Sequence, residues 1–186
     1  MSTSTLVVLI IAVAAIALAA VMFFQRQKTL KLKTKFGPEY DRLADREGSP
    51  RRAEAILDSR QKRVEKFHIR PLSGEECDRF SADWRAAQEQ FVDDPLKAVT
   101  AADQLVNAAL RARGYPMGDF EQQAADISVE HPRVVADYRA AHDIATQAQK
   151  GDVTTEDLRG AMQHYRHLFE HVLDAHVTPH QEEVHR

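Results

Sequence analysis

Apolar residues follow two patterns along the chain. From Thr5 to Phe24 they are continuous, twenty residues (TLVVLIIAVAAIALAAVMFF) without a charge, an amide or a proline. Beyond Phe36 they recur at intervals of three and four, the period of a helix with one buried face. At about 1.5 Å per residue the continuous stretch reaches roughly 30 Å, the thickness of a bilayer's hydrocarbon core. A single segment satisfies its backbone in lipid only as a helix. A cleaved signal peptide has a basic start, a shorter apolar run and a small-residue cleavage site. Here Met1–Ser4 carries no charge, the run closes on Met22-Phe23-Phe24, and no Cys follows closely for lipid attachment. The pattern therefore predicts an uncleaved transmembrane helix over residues 5–24, preceded by a short extracytoplasmic segment, residues 1–4. Within it Ala12, Ala15 and Ala19 form a small-residue stripe that lets helices approach closely, which is compatible with a homo-oligomer.

The helix is expected to continue through Gln25–Lys35, and Phe36-Gly37-Pro38 to break it. Ser49-Pro50 starts a charged helix to about Phe67, with Arg60, Lys62, Arg63, Glu65 and Lys66 on its exposed face. His68-Ile69-Arg70-Pro71-Leu72 reads as an extended connector, since a residue before proline avoids the α region. Ser73 with Glu76 is a capping box, followed by Cys77, Phe80, Trp84, Ala87 and Phe91 on one face. Asp94-Pro95 opens the next helix, which carries Leu96, Val99, Ala102, Val106, Ala109 and Leu110 to about Arg113. Asp119 caps a short helix to about Ile127, and Pro132 opens another through Tyr138, Ala141 and Ala148. Thr154 with Asp157 starts the last helix, and Leu158, Ala161, Met162, Tyr165, Leu168, Phe169 and Val172 give it a broad apolar face. No segment alternates as a strand does.

The expected fold is all-α: the transmembrane helix, a basic juxtamembrane region with a charged helical arm (25–72), a helical bundle (73–175) and a flexible tail (176–186). Trp84, Phe91, Tyr138, Tyr165 and Phe169 are the expected bundle core.

Charge adds an orientation. Of the 186 residues, the first 35 contain five bases and no acid, and all five bases (Arg26, Lys28, Lys31, Lys33, Lys35) follow the apolar run. The positive-inside rule then puts the C-terminal part in the cytoplasm and the N-terminus outside the cell membrane. From Pro71 to Arg186 eleven bases face 21 acids, a net −10 that repels phosphates and argues against nucleic acid as a partner. A single cysteine, Cys77, excludes an internal disulfide or a CxxC motif, and its place on the apolar stripe reads as a buried small hydrophobe.

Candidate chemistry is sparse. His167-Leu168-Phe169-Glu170-His171 matches the H-x-x-E-H pattern of certain zinc proteases. Such a site needs a third ligand and a shaped cavity, and only fifteen residues follow His171. On a helical wheel with Tyr165 at 0°, His164, His167 and His171 fall between about −100° and −160°, on the solvated flank. With His176 close by, they are the candidates for metal binding, and surface histidines are the plainer reading. The Glu65–His68 and Glu182–His185 pairs lie at a helix end and in the tail, away from the bundle interior where di-iron proteins hold such pairs. No phosphate loop, G-x-S-x-G or dinucleotide fingerprint occurs, and no catalytic residue or cofactor is predicted. The reading is a membrane-anchored interaction module with a protein partner at the cytoplasmic face. Its rivals are a metal-dependent enzyme on the histidine flank and a small-ligand sensor.

Phe36-Gly37-Pro38-Glu39-Tyr40-Asp41-Arg42, Ile69-Arg70-Pro71-Leu72, Arg111-Ala112-Arg113-Gly114-Tyr115-Pro116, Ser128-Val129-Glu130-His131-Pro132 and Tyr138-Arg139-Ala140-Ala141-His142 are distinctive segments. Across roughly residues 36–173 the chain resembles a family of bacterial proteins with one N-terminal span, frequent in actinobacteria and other GC-rich bacteria. That resemblance implies the same architecture and brings no activity, cofactor or catalytic residue.

Overall fold

The structure is a computed structural model; it describes the backbone of residues 3–174 and the side chains of residues 12, 13 and 15–173. The tail expected at 176–186, with His176 and the Glu182–His185 pair, and the first two residues of the segment 1–4 lie outside the described residues. Among the described residues there are eight helices and no strand, so the fold is all-α. They are α1 (Thr3–Phe36), α2 (Pro38–Glu47), α3 (Pro50–Val64), α4 (Gly74–Gln90), α5 (Pro95–Arg113), α6 (Phe120–Glu130), α7 (Val135–Ala148) and α8 (Thr155–Asp174). The chain divides into two compact units, Met1–Leu57 and Asp58–Arg186, and the division falls within α3.

In the first unit α1 carries the apolar run and its basic flank as one helix. Among the described residues no helix is long and apolar enough to cross a membrane. The side chains that open the apolar run, residues 5–11, are outside that description. From residue 13 to 24 the large apolar side chains stand exposed on every side: Ile16 and Phe24 are each 70% accessible, and Leu18 is 63%.

The helix stops where Gly37 takes φ 48°, a left-handed conformation that a side chain disfavours, and Pro38 starts α2 at its first position. The 3,4 spacing does not reveal α2, because its buried residues, Glu39, Tyr40 and Leu43, are too few to show a period. Gly48 closes it in the left-handed region. Leu32 and Phe36 of α1 and Ala53 and Leu57 of α3 are buried as well. One carboxylate ties the three helices together. Glu54 Oε1 accepts from the Thr29 hydroxyl at 2.6 Å and from the Tyr40 hydroxyl at 3.2 Å. Burial first, and Glu54 second, push the Tyr40 phenol up.

The second unit is a helical bundle. Helices α4 and α5 are joined by a tight turn, with Asp94 accepting from the Lys97 amide as cap and Pro95 at the first position. Helices α7 and α8 pack together, and α5 packs against both. Trp84 of α4 stacks on Phe169 of α8, ring centroids 4.7 Å apart at 18°. Trp84, Tyr138, Tyr165 and Phe169 are core residues, and Phe91 is half-buried at its edge.

Four positions depart from the helical-face reading. Leu96 is 43% exposed, because it sits in the first turn of α5 beside the α4–α5 turn. Cys77, in the first turn of α4, is half-buried rather than buried. Arg60, expected on a solvated face, is buried and donates to the Ser128 hydroxyl at 3.1 Å. Helix α7 starts at Val135, three residues after Pro132, since His131 caps α6 and its carbonyl accepts from the Val134 and Val135 amides.

Helix α6 is enclosed. Every residue from Gln123 to Val129 is buried, polar ones included. It is gripped through polar partners: Arg63 on the Asp126 carboxylate at 3.1 Å, Arg60 on Ser128, and Gln123 on Asn107 of α5 at 2.8 Å. Phe120 at its start is sandwiched between Tyr138 and His142 of α7, with centroids at 4.9 and 3.6 Å.

Candidate functional site

The histidine flank of α8 faces α7. His164 Nδ1 lies 2.7 Å from Asp137 Oδ1, and His167 Nδ1 lies 3.4 Å from Asp137 Oδ2. His171 turns its Nδ1 to the His167 carbonyl at 2.9 Å, and Glu170 accepts from Arg166 at 2.6 Å. The carboxylate that would be the general base of an H-x-x-E-H enzyme is thus engaged by an arginine on its own helix. His167 remains 59% exposed. Among the described residues no group of three or more His, Cys, Asp or Glu side chains could hold a metal ion. Asp137, the partner that organises this flank, carries no motif and comes from another helix, so no spacing along the chain points to it.

A second constellation gathers residues from three of the distinctive segments. The Arg70 amide donates to the Arg113 carbonyl at 2.8 Å, and Arg113 Nε donates back to the Arg70 carbonyl at 3.3 Å. The Arg70 guanidinium holds Glu76 through two bonds of 2.7 and 2.8 Å. Glu76 also closes the capping box on Ser73, and the Arg70 bonds first and the Ser73 amide second bring its carboxyl down to about 2. Connector, start of α4 and end of α5 are thereby one joint. Gly114 makes the close approach possible. Its φ is 98°, and a Cβ there would stand 2.5 Å from the His68 carbonyl oxygen.

Arg113 is buried and reaches onward to α6. One terminal nitrogen lies 3.0 Å from His131 Nε2, and the other donates to Glu130 at 3.4 Å. Glu130 also accepts from the Tyr115 hydroxyl at 2.6 Å. An arginine can only donate, so Nε2 must accept, and the imidazole is neutral with its proton on Nδ1. Burial first, the Arg113 charge second and His171 third bring the His131 pKa down from 6.5 to about 4. Burial and the Glu130 carboxylate push the Tyr115 phenol up.

A third network lies in the core. Tyr165 donates to Asp103 at 2.8 Å, Asn107 donates to the same carboxylate at 3.2 Å, and Asn107 accepts from Gln123 and Tyr138. Burial, with Asp103 next, pushes the Tyr138 and Tyr165 phenols up, so both stay protonated donors. These two networks fix α4, α5, α6, α7 and α8 in one arrangement. In both, the carboxylate is engaged by donors of the chain, Glu130 by Arg113 and Tyr115 and Asp103 by Tyr165 and Asn107.

Two open clefts lie on the second unit. One of about 260 Å³ lies between the end of α4 and the first half of α8. Another of about 390 Å³ runs along α4 and α5 over Ala86, Ala87, Ala101 and Ala108. No family model, no curated protein and no solved structure matches the chain.

Proposed function

We propose that the protein is a membrane-anchored helical interaction module, with no chemistry of its own, that holds its bundle at the cytoplasmic face of the cell membrane. The observation that carries the reading is the surface of α1. Apolar side chains from residue 13 to residue 24 stand exposed around the whole helix, a surface that water does not favour and lipid does. Five bases follow directly and give the span its orientation by the positive-inside rule. The resemblance to bacterial single-span proteins belongs to the same proposal. Tethering raises the effective concentration of the bundle at the membrane, so contacts of modest affinity suffice to recruit a partner.

Fractionation of cells expressing the full chain tests the anchor. The protein is expected in the membrane pellet after an alkaline carbonate wash, and a variant lacking residues 5–24 in the supernatant. Release of the full chain by carbonate would end the proposal. The metal-enzyme reading is tested separately by elemental analysis of the full chain purified without a histidine tag. Substoichiometric zinc and iron are expected; a stoichiometric metal lost on substituting His167 and His171 would replace the module with an enzyme.

A further inference from the structure

The cleft between α4 and α8 is lined by arginines in a domain that is acidic as a whole. The chain from Pro71 onward carries a net −10, yet this cleft is lined by Gln88, Phe91, Arg159, Met162, Gln163 and Arg166, two cations and no acid. Its floor is apolar, with Met162 buried and Phe91 half-buried. Beside Phe91 in the α4–α5 turn, Val92 is 85% exposed, more than any other large apolar side chain among the described residues. The packing of Trp84 on Phe169 fixes α4 against α8 at one end, leaving the cleft at the other. The Arg159 guanidinium lies 5.8 Å from the Phe91 ring centroid, which positions it over the cleft rather than away from it.

We propose that this cleft docks an acidic peptide segment of a partner protein, with one large apolar side chain on the Phe91–Met162 floor and carboxylates on Arg159 and Arg166. The inference rests on the interaction-module reading and names the chemistry of its partner. Both arginines are already paired with carboxylates of their own helix, Arg159 with Glu156 and Arg166 with Glu170. Those are exposed pairs at three- and four-residue spacing, a class that contributes little to stability, so an incoming carboxylate displaces them at little cost. Arginine accepts a carboxylate through two parallel N–H bonds, and the two glutamines offer further donors to a peptide backbone. The net negative charge of the domain disfavours acidic chains on average, so the two arginines have to supply the attraction at this cleft.

A random dodecapeptide library displayed on phage, selected on the full chain in detergent micelles, tests the proposal whether or not the chain spans a bilayer. The selected peptides are expected to be rich in Asp and Glu around a Leu, Met, Phe or Trp. Synthetic copies should bind at least roughly tenfold more weakly to R159Q/R166Q, the loss of charge-assisted bonds. Q163E, which sets a carboxylate into the cleft at nearly unchanged size, should weaken them too. Both variants change exposed side chains, and an unchanged circular dichroism melt verifies their folding. Failure to enrich any peptide, enrichment of basic or uncharged ones, or binding indifferent to R159Q/R166Q would overturn the proposal. So would a concentration-dependent dimer of the full chain that R159Q/R166Q abolishes, because the occupant would then be a second copy. An anchored protein whose selected peptides ignore the arginines would remove this inference and leave the anchor standing.

Discussion

His131 is held neutral between a buried arginine and the end of α6, and that has a pH consequence. Its pKa is about 4 in the folded chain against 6.5 in the unfolded one. Between those values the unfolded state binds more protons, so stability is complete above pH 6.5 and is lost as the pH falls toward 4. At pH 5 the loss from this residue is about 2 kcal/mol. Thermal melts of the wild type at pH 7 and 5, set beside His131→Gln, should show the smaller decline in the variant, whose amide oxygen accepts from Arg113 without titrating. Gly114→Ala meets both a left-handed backbone and the His68 carbonyl, and should cost at least about 2 kcal/mol in a urea melt. Trp84→Ala should cost about 3–5 kcal/mol, since its ring is buried against Phe169; an unchanged melting temperature would contradict that packing. Core residues such as Trp84, Tyr165 and Phe169 are legible in the sequence because they fall on a 3,4 period. Arg60 and Arg113 are not, because a charged residue on a helix reads as exposed until its partner from another helix is known.

At the scale of elements, the ends of helices carried more information than their middles. Ser73 with Glu76, Asp94-Pro95, Asp119 and Thr154 with Asp157 all cap the helices that they announce, through side-chain bonds to the amides three residues on. Ser73→Ala should cost about 0.5–2 kcal/mol, because the Glu76 amide would lose the Ser73 hydroxyl as its acceptor while the Glu76 carboxylate keeps the Ser73 amide and Arg70. Hydrogen exchange would report this as faster exchange in the first turn of α4. Helix α2 escaped the pattern since ten residues hold few buried apolar positions and much of its burial is polar or aromatic. Its Tyr40 is bonded to Glu54, so Glu54→Ala leaves that buried hydroxyl without its acceptor, while the Thr29 hydroxyl keeps the Gln25 carbonyl, and should cost about 1–3 kcal/mol. That loss should appear as exchange of the α2 amides, with those of α8 unaffected. The polar locks within the bundle were invisible for a different reason. Each joins residues distant in sequence, such as Asp103 with Tyr165, and no local spacing encodes them.

For the whole molecule, the division after Leu57 gives an elongated basic helix with a small helical base in one unit and an acidic bundle in the other. In the proposed function the two units have different tasks: the first fixes location and the second offers a surface. The central claim is therefore one of topology, a single span with the bundle in the cytoplasm. Paired C-terminal fusions of the full chain to alkaline phosphatase and to green fluorescent protein, expressed in a bacterium, measure it most directly. A fluorescent, membrane-localised fusion with an inactive phosphatase is the result this account predicts. An active phosphatase would put the bundle on the far side of the membrane, and fluorescence spread evenly through the cytoplasm would remove the span itself.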